Sequence, residues 1–418
     1  MLPAPLMLSP SYLAMVRGTR ELHRLSAVGK DDSPEADAIR DATDGPWETL
    51  SDTERQRVRN LSEDLYSLSE IPPELKPLNP HAQGKLYNVF EARRRGDWDR
   101  ALELLRRWRA YVDPAMLSYL RGTIWLEAGD PNTAVVFYEH SSSLQPEDAT
   151  YLVILLHTLE LVDPIEAQQR SNKILSDPDK FEPVVISRAV NIVFKTIRNL
   201  SEADASQLLS RLIPILKDSL SRIKQGDESG VDRSSYAMTI ALLGFSYEFL
   251  GEMQTALEYY SDGLKTDPNN DGLLVARGIL LYGTSPRAES DFEAAIQQGS
   301  PLIWPFFFLA HHFLVNNRFQ ECFRFCERAL QMPGSNSVKS ELWEWSAISQ
   351  AELGFPVEIT RQTFETAIRL DPGSDRAKFN LAQFDAAIQP MAKRSWKTRT
   401  PGSVRTSGLT ERRYSLAA

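Results

Sequence analysis

Cysteine is almost missing from this sequence. Only Cys322 and Cys326 occur in 418 residues, too few to staple a small secreted domain. They stand four apart in a stretch of helical pattern, where neighbouring side chains are poorly aimed for a disulfide. Long apolar runs are missing too. The longest candidate, "LIWPFFFLAHHFLV", falls short of the ~20 residues that span a bilayer and contains Pro305, His311 and His312. The N-terminus, "MLPAPLMLSPSYLAMVRGTR", has no basic region before its apolar part and is interrupted by Pro3, Pro5 and Pro10. It reads as mature protein rather than a signal peptide. Nor is there a surplus of positive charge. The net charge of -9 argues against a general nucleic-acid binder, which carries a basic face. A soluble, reducing compartment fits these absences, and the expected location is cytoplasmic.

Catalytic signatures are lacking as well. G-x-S-x-G, H-E-x-x-H, G-x-G-x-x-G and the Walker A loop do not occur. His23, His81, His140 and His157 sit on separate segments with no nucleophile motif nearby. Paired acids such as Glu160 and Asp163 are ordinary on helices and do not by themselves indicate acid–base work. Cys322, Cys326, His311 and His312 come nearest to a zinc set. Packing is the simpler role for both thiols, since free cysteine behaves as a small hydrophobe. No enzyme activity, cofactor or metal is expected.

What the chain does have is ordinary globular composition, 42% hydrophobic and 25% charged, and a repeat. In "IALLGFSYEFLGEMQTALEYYSDGLKTDP", Ile240, Leu243, Gly244 and Tyr247 share one helical face. A turn follows at Gly251, then Ala256 and Tyr260 share a second face, and Pro268 closes the unit. Gly244 and Ala256 lack bulk, so two antiparallel helices can approach closely there. Gly251 can take a positive φ, and Pro268 ends the second helix. The unit resembles the tetratricopeptide repeat, W-x2-L-G-x2-Y, then A-x3-F, then P. Ile240 replaces the leading Trp and Tyr260 the Phe. A second copy, Ala115 to Asp148, carries Gly122, Trp125, Gly129, Ala134, Tyr138 and Pro146. Looser copies show Gly96 and Ala101; Gly278, Ala288, Phe292 and Ala295; Ala310, Phe313, Cys322, Cys326 and Ala329; and Trp343, Ala347, Phe364, Ala367 and Pro372. "DRAKFNLAQFDAAI" reads as a capping helix.

The resemblance implies an all-α, right-handed superhelical solenoid of about six to eight helical hairpins. Residues 1–80 read as a separate N-terminal helical segment, with a helix starting at Pro34 and another opened by a Ser51/Glu54 capping box. Residues 81–148 and 237–389 hold the repeats and the capping helix. Residues 149–236 are irregular or diverged. Within them, "SEADASQLLSRLIPILKDSLSRI" is a helix capped by Ser201 and kinked by Pro214, and "KQGDESGVDRSS" is a loop. The tail, 390–418, carries seven basic residues and one acidic residue, leaving about -15 on the rest. It is expected to be disordered, either solubilising the chain or folding back onto the acidic body.

In proteins of this family the first helix of each hairpin lines a concave groove. On that resemblance, Phe90, Tyr119, Met238, Phe245, Trp304, Phe307, His311 and Trp345 would line a partner groove. Aromatic anchors suit a protein partner. Aromatics at helical spacing are equally well explained as core, filling the inner side or meeting the protein's own N-terminal helices. The Lys and Asn set with which some relatives grip a terminal carboxylate is missing here: Tyr119, Thr123, Ala241 and Phe245 stand in those places. The expected function is therefore a scaffold or adaptor binding a largely apolar peptide or helix. A structural subunit that assembles through repeat edges, or self-associates, is the alternative.

Overall fold

The computed structural model describes residues 9–225, 233–386 and 396–415. Among them every regular element is helical. The chain forms two compact units, residues 1–192 and 193–418.

In unit one, α1 (Pro10–Ala27), α2 (Pro34–Thr49) and α3 (Asp52–Tyr66) precede three hairpins. These are α4 (Pro80–Arg94) with α5 (Trp98–Arg107), α6 (Pro114–Glu127) with α7 (Pro131–Leu144), and α8 (Ala149–Val162) with α9 (Pro164–Ile174). Helix α10 (Pro183–Phe194) crosses the division between the units. Start signals are local. Ser33 caps α2 ahead of Pro34, and Ser51 and Glu54 form the complete capping box of α3, satisfying donors that a helix end leaves unpaired. Charge ties the N-terminal helices to the hairpins. Asp64 of α3 lies 2.8 Å from Arg121 of α6 and 3.2 Å from Arg106 of α5. Burial raises the Asp64 carboxyl to about 6 against the pull of those two guanidinium groups. Arg57 pairs with Asp99, and Arg20 reaches Asp130 and Thr133 at the start of α7.

Unit two contains α11 (Glu202–Gln225) and four hairpins, α12 (Arg233–Phe249) with α13 (Met253–Thr266), α14 (Asp271–Leu281) with α15 (Arg287–Gln297), α16 (Trp304–Val315) with α17 (Phe319–Leu330), and α18 (Asn336–Glu352) with α19 (Val357–Leu370). Helix α20 (Asp375–Ala386) packs on α19 and α18. Ser201 accepts from the Asp204 amide at the start of α11, and Pro214 lies inside that helix. Most of the loop expected over 224–235 lies outside the described residues.

The small residues do what their spacing implies. A Cβ on Gly244 would overlap the Tyr260 ring, and one on Gly278 would stand 2.7 Å from Phe292. In unit one, Gly122 stands in the same relation to Tyr138, at 2.7 Å. Ala256 is fully buried, and Gly251 takes φ +84° in its turn. Cys322 and Cys326 are fully buried on α17, their sulfurs 4.0 Å apart. They fill compact second-helix slots.

The expectation of a disordered tail is corrected for its described part. Residues 396–400 are non-helical and lead into α21 (Pro401–Ser415), which packs on α14 and α16. Thr400 opens the helix, its hydroxyl accepting from the Ser403 amide at 3.3 Å, and Pro401 occupies the first turn, where its missing N–H costs nothing. Val404, Gly408 and Leu409 then form a short buried stripe. A composition rich in Gly, Ser, Thr and Arg conceals so brief an apolar pattern. Residues 390–395 and 416–418 of the tail lie outside the described residues.

Candidate functional site

The residues expected to line a groove are divided between the two units, Phe90 and Tyr119 in unit one and the other six in unit two. Phe90 is exposed on α4 and Tyr119 half-buried on α6, its ring 5.9 Å from Tyr138 and 5.6 Å from Tyr151. Met238 and Phe245 are half-buried on α12, with Phe245 edge-on to Tyr260 at 5.7 Å. Trp304, Phe307, His311 and Trp345 do come together. Phe307 lies 4.7 Å and His311 5.1 Å from the Trp345 ring, and Trp304 lies 5.7 Å from Phe307. All four are buried. As open anchors they are therefore a correction: they form an aromatic core between α16 and α18. Helix α16 is buried on nearly every side, and helical periodicity cannot tell the inner face of such a helix from its outer face.

What lies against this core is the chain's own C-terminal segment. It crosses the first helices of successive hairpins in unit two, α14, α16 and α18, and then α20. His311 makes the link. Its Nε2–H donates to the Arg399 carbonyl at 2.9 Å, and its Nδ1 accepts from the Tyr282 hydroxyl at 2.8 Å. Because a carbonyl can only accept, the proton sits on Nε2. Burial holds the ring neutral, its pKa lowered to about 4.

Asn380 of α20 holds the segment's backbone. Its Oδ1 accepts from the Lys397 amide at 2.9 Å, and its Nδ2 donates to the Lys397 carbonyl at 3.0 Å. The second Nδ2 proton goes to Glu344 Oε1 at 2.7 Å. A carboxylate accepts only, so Glu344 fixes which end of the amide faces the segment. Asn380 is fully buried and both of its polar atoms are used.

Beside this clamp lies a charge cluster. Glu344 is paired with Arg376 at 2.6 Å. Glu341, one turn earlier on α18, meets Arg399 at 2.7 Å and Arg376 at 3.6 Å. Burial raises the Glu341 carboxyl, opposed by Arg376 and Arg399. The other donors of the Arg399 guanidinium go to the first turns of the helix that follows it, to the Ser403 carbonyl at 2.7 Å and to the Ser403 and Ser407 hydroxyls.

Shape completes the seat. Trp396 stacks over Phe364 with ring centroids 6.1 Å apart, and its indole N–H donates to Glu352 at 2.7 Å. The Lys397 ammonium lies 3.9 Å over the Phe379 ring. Gly408 rests on Phe308 so closely that a Cβ would fall 2.5 Å from the ring. Pro401 stands equally close to Gly283, and Arg405 donates to the Leu280 carbonyl at 3.3 Å. The sequence reading missed Asn380, Glu341, Glu344, Trp396 and Arg399. One signal was available: a lone Trp and a Thr-Pro helix start inside a tail otherwise free of structure-forming pattern.

No helix among the described residues is long and apolar enough to cross a membrane. No protein-family model matches the sequence, and no curated protein matches it. Among solved structures, the chain is similar to a tetratricopeptide repeat protein from Parabacteroides merdae, at 16% identity over 64% of this chain and 99% of that one, with a TM-score of 0.42. It is also similar to a chain of the APC/C hetero-tetramer Cut9–Hcn1, at 12% identity over 88% and 89%, with a TM-score of 0.39. A third is the C-terminal part of a TPR repeat-containing protein from Cytophaga hutchinsonii, at 12% identity over 70% and 98%, with a TM-score of 0.33. The hairpins themselves, with Gly122, Gly244 and Gly278 each set against an aromatic ring, establish the TPR-like fold.

Proposed function

We propose that this protein is a protein-interaction scaffold whose first-helix face in unit two holds a length of polypeptide. The pairing of Asn380 with both main-chain groups of Lys397 carries this reading. Such a pairing recognises backbone and not side chain, so it suits any segment laid along the same path. His311 adds a second backbone contact through the Arg399 carbonyl. The tail supplies the pattern for such a ligand, an extended stretch followed by a helix. On unit one, the exposed Phe90 and half-buried Tyr119 are proposed as separate contact points for a partner, as are Met238 and Phe245 on α12.

The test compares three full-length proteins in pull-downs read by mass spectrometry. The first is wild type. The second carries Val404→Asp and Gly408→Leu, which unseat α21. The third adds Asn380→Ala. Partners gained by the second protein and lost by the third support the groove. Identical capture by the second and third overturns it.

A further inference from the structure

The face described above is selective as well as receptive. We propose that the partner it takes in trans is an arginine-bearing segment of the tail's own kind: an aromatic residue, an arginine three positions later, and a helix starting at a proline two positions after that. This rests on the reading of that face as a peptide-binding groove and goes on to name its ligand.

Charge is the first argument. The cluster in the body contains two carboxylates, Glu341 and Glu344, and one guanidinium, Arg376. Glu344 is almost fully buried and Glu341 is 12% exposed. With the tail in place Arg399 supplies the second positive charge. Without it, two carboxylates one helical turn apart share the single Arg376 guanidinium, and that concentration of negative charge favours a second cation. A ligand is therefore selected for bringing one cation to Glu341.

Geometry narrows that cation to arginine. One arm of the Arg399 guanidinium meets Glu341 while its other donors meet Ser403 and Ser407. A lysine ammonium is a point charge on a flexible stem and cannot span both sides at once. The same bonds tie the arginine to the first turns of the helix that follows, so the segment presents its cation already oriented. Trp396 against Phe364 and Glu352 sets the register upstream. A small residue is required where Gly408 meets Phe308.

The tail's hold is modest, which leaves room for exchange. Among its described side chains only Val404 and Leu409 are buried hydrophobics. Segments held mainly by hydrogen bonds and ion pairs, with little buried apolar area, exchange these for water on opening and open at lower free-energy cost than the core. A partner of matching chemistry then competes with the tail, which has the advantage of being tethered.

The experiment uses full-length protein and a dye-labelled synthetic peptide spanning residues 396–411, read by fluorescence anisotropy. The chain carrying Val404→Asp and Gly408→Leu is expected to bind this peptide more tightly than wild type, whose own tail competes. A full-length Trp396→Ala and Arg399→Ala chain serves as a second, milder unseating variant should the first fold poorly. A peptide with Arg399→Lys is expected to bind about tenfold more weakly, the scale of one charge-assisted hydrogen bond. Adding Glu341→Gln to the unseated chain is expected to abolish that difference. Equal binding of the native and Arg399→Lys peptides overturns the arginine preference and leaves the groove standing. Binding of neither peptide overturns both. A wild-type dimer that becomes monomeric on unseating makes a second copy the occupant, and overturns the proposal of a foreign partner.

Discussion

Asn380 and Lys397, seventeen positions apart in sequence, are joined by two hydrogen bonds that use one side-chain amide and both main-chain groups of a single residue. Asn380→Ala removes both bonds and leaves Glu344 without one of its donors. The expected cost to the seated segment is roughly 1–3 kcal/mol, which opens it about five- to 150-fold more often. Hydrogen exchange over residues 396–409 should accelerate accordingly, and trypsin should cut after Lys397 or Arg399 at a higher rate. Protection in α12 and α13 should stay as in wild type. Unchanged exchange in the tail would show that Asn380 does not hold it.

The hairpins were legible in the sequence because their determinants are local. Gly244 and Tyr260, Gly278 and Phe292, and Gly122 and Tyr138 each lie within one repeat, so a fixed spacing exposes them. The Ser51/Glu54 box and the Ser201 cap are legible for the same reason. The site was legible only in part. Trp304, Phe307, His311 and Trp345 were singled out, and the structure gathers them, but as core beneath a segment rather than as open anchors. Glu341 and Glu344 read like an ordinary solvated helix face, because nothing in a linear pattern shows that a distant arginine will cover them. Asn380 is one polar residue on a capping helix, and its role exists only once Lys397 lies beside it.

Glycines on and off the hairpin contacts should respond with opposite signs. In Gly244→Ala the new methyl runs into the Tyr260 ring, which is itself fully buried. Overpacking of this kind costs roughly 1–3 kcal/mol. Gly84 also lies within a helix, α4, but nothing stands within 4 Å of its Cβ position. Gly84→Ala should stabilise by about 0.4–1 kcal/mol through reduced freedom of the unfolded chain. Thermal melts of the two variants should move in opposite directions. A Gly244→Ala protein as stable as wild type would remove the close-approach argument for the repeat.

Two buried groups give the units opposite responses to acid. His311 titrates near 4 when folded against about 6.5 when unfolded. The unfolded chain thus takes up the proton first, and the stability from the neutral ring, present above pH 6.5, is lost as pH falls from there towards 4. The gap corresponds to about 3 kcal/mol. Asp64 behaves oppositely, with a folded value of about 6 against 3.8 unfolded. Its contribution is most favourable below pH 3.8 and fades as pH rises through 6. Between pH 7 and pH 4.5, exchange protection should therefore fall in α16 and α18, while the stability contributed by Asp64 rises as burial of its charge is relieved, even though its pairing with Arg121 and Arg106 weakens. His311→Phe should flatten the acid-side loss in unit two, and Asp64→Asn should remove the gain in unit one. Parallel pH profiles for wild type and His311→Phe would show that the histidine is not the titrating group.

Arg277 of α14 and Asp291 of α15 form a two-pronged ion pair inside their hairpin, with bonds of 2.8 and 2.7 Å and both residues nearly inaccessible. Such a pair is costly to break and inexpensive to replace, because the penalty lies in the buried charge left behind. Arg277→Leu strands the Asp291 carboxylate and should cost about 3–5 kcal/mol. Arg277→Met combined with Asp291→Leu removes both charges and should recover most of that loss. Urea unfolding of the full-length variants, followed by exchange protection in α14 and α15, measures the difference. Helix α14 also carries part of the seat for α21, through Leu280. The single variant should therefore loosen residues 401–409 as well, and the double variant should restore them. A double variant no more stable than Arg277→Leu alone would place the cost in lost packing of the arginine stem, and the stranded carboxylate would no longer explain it.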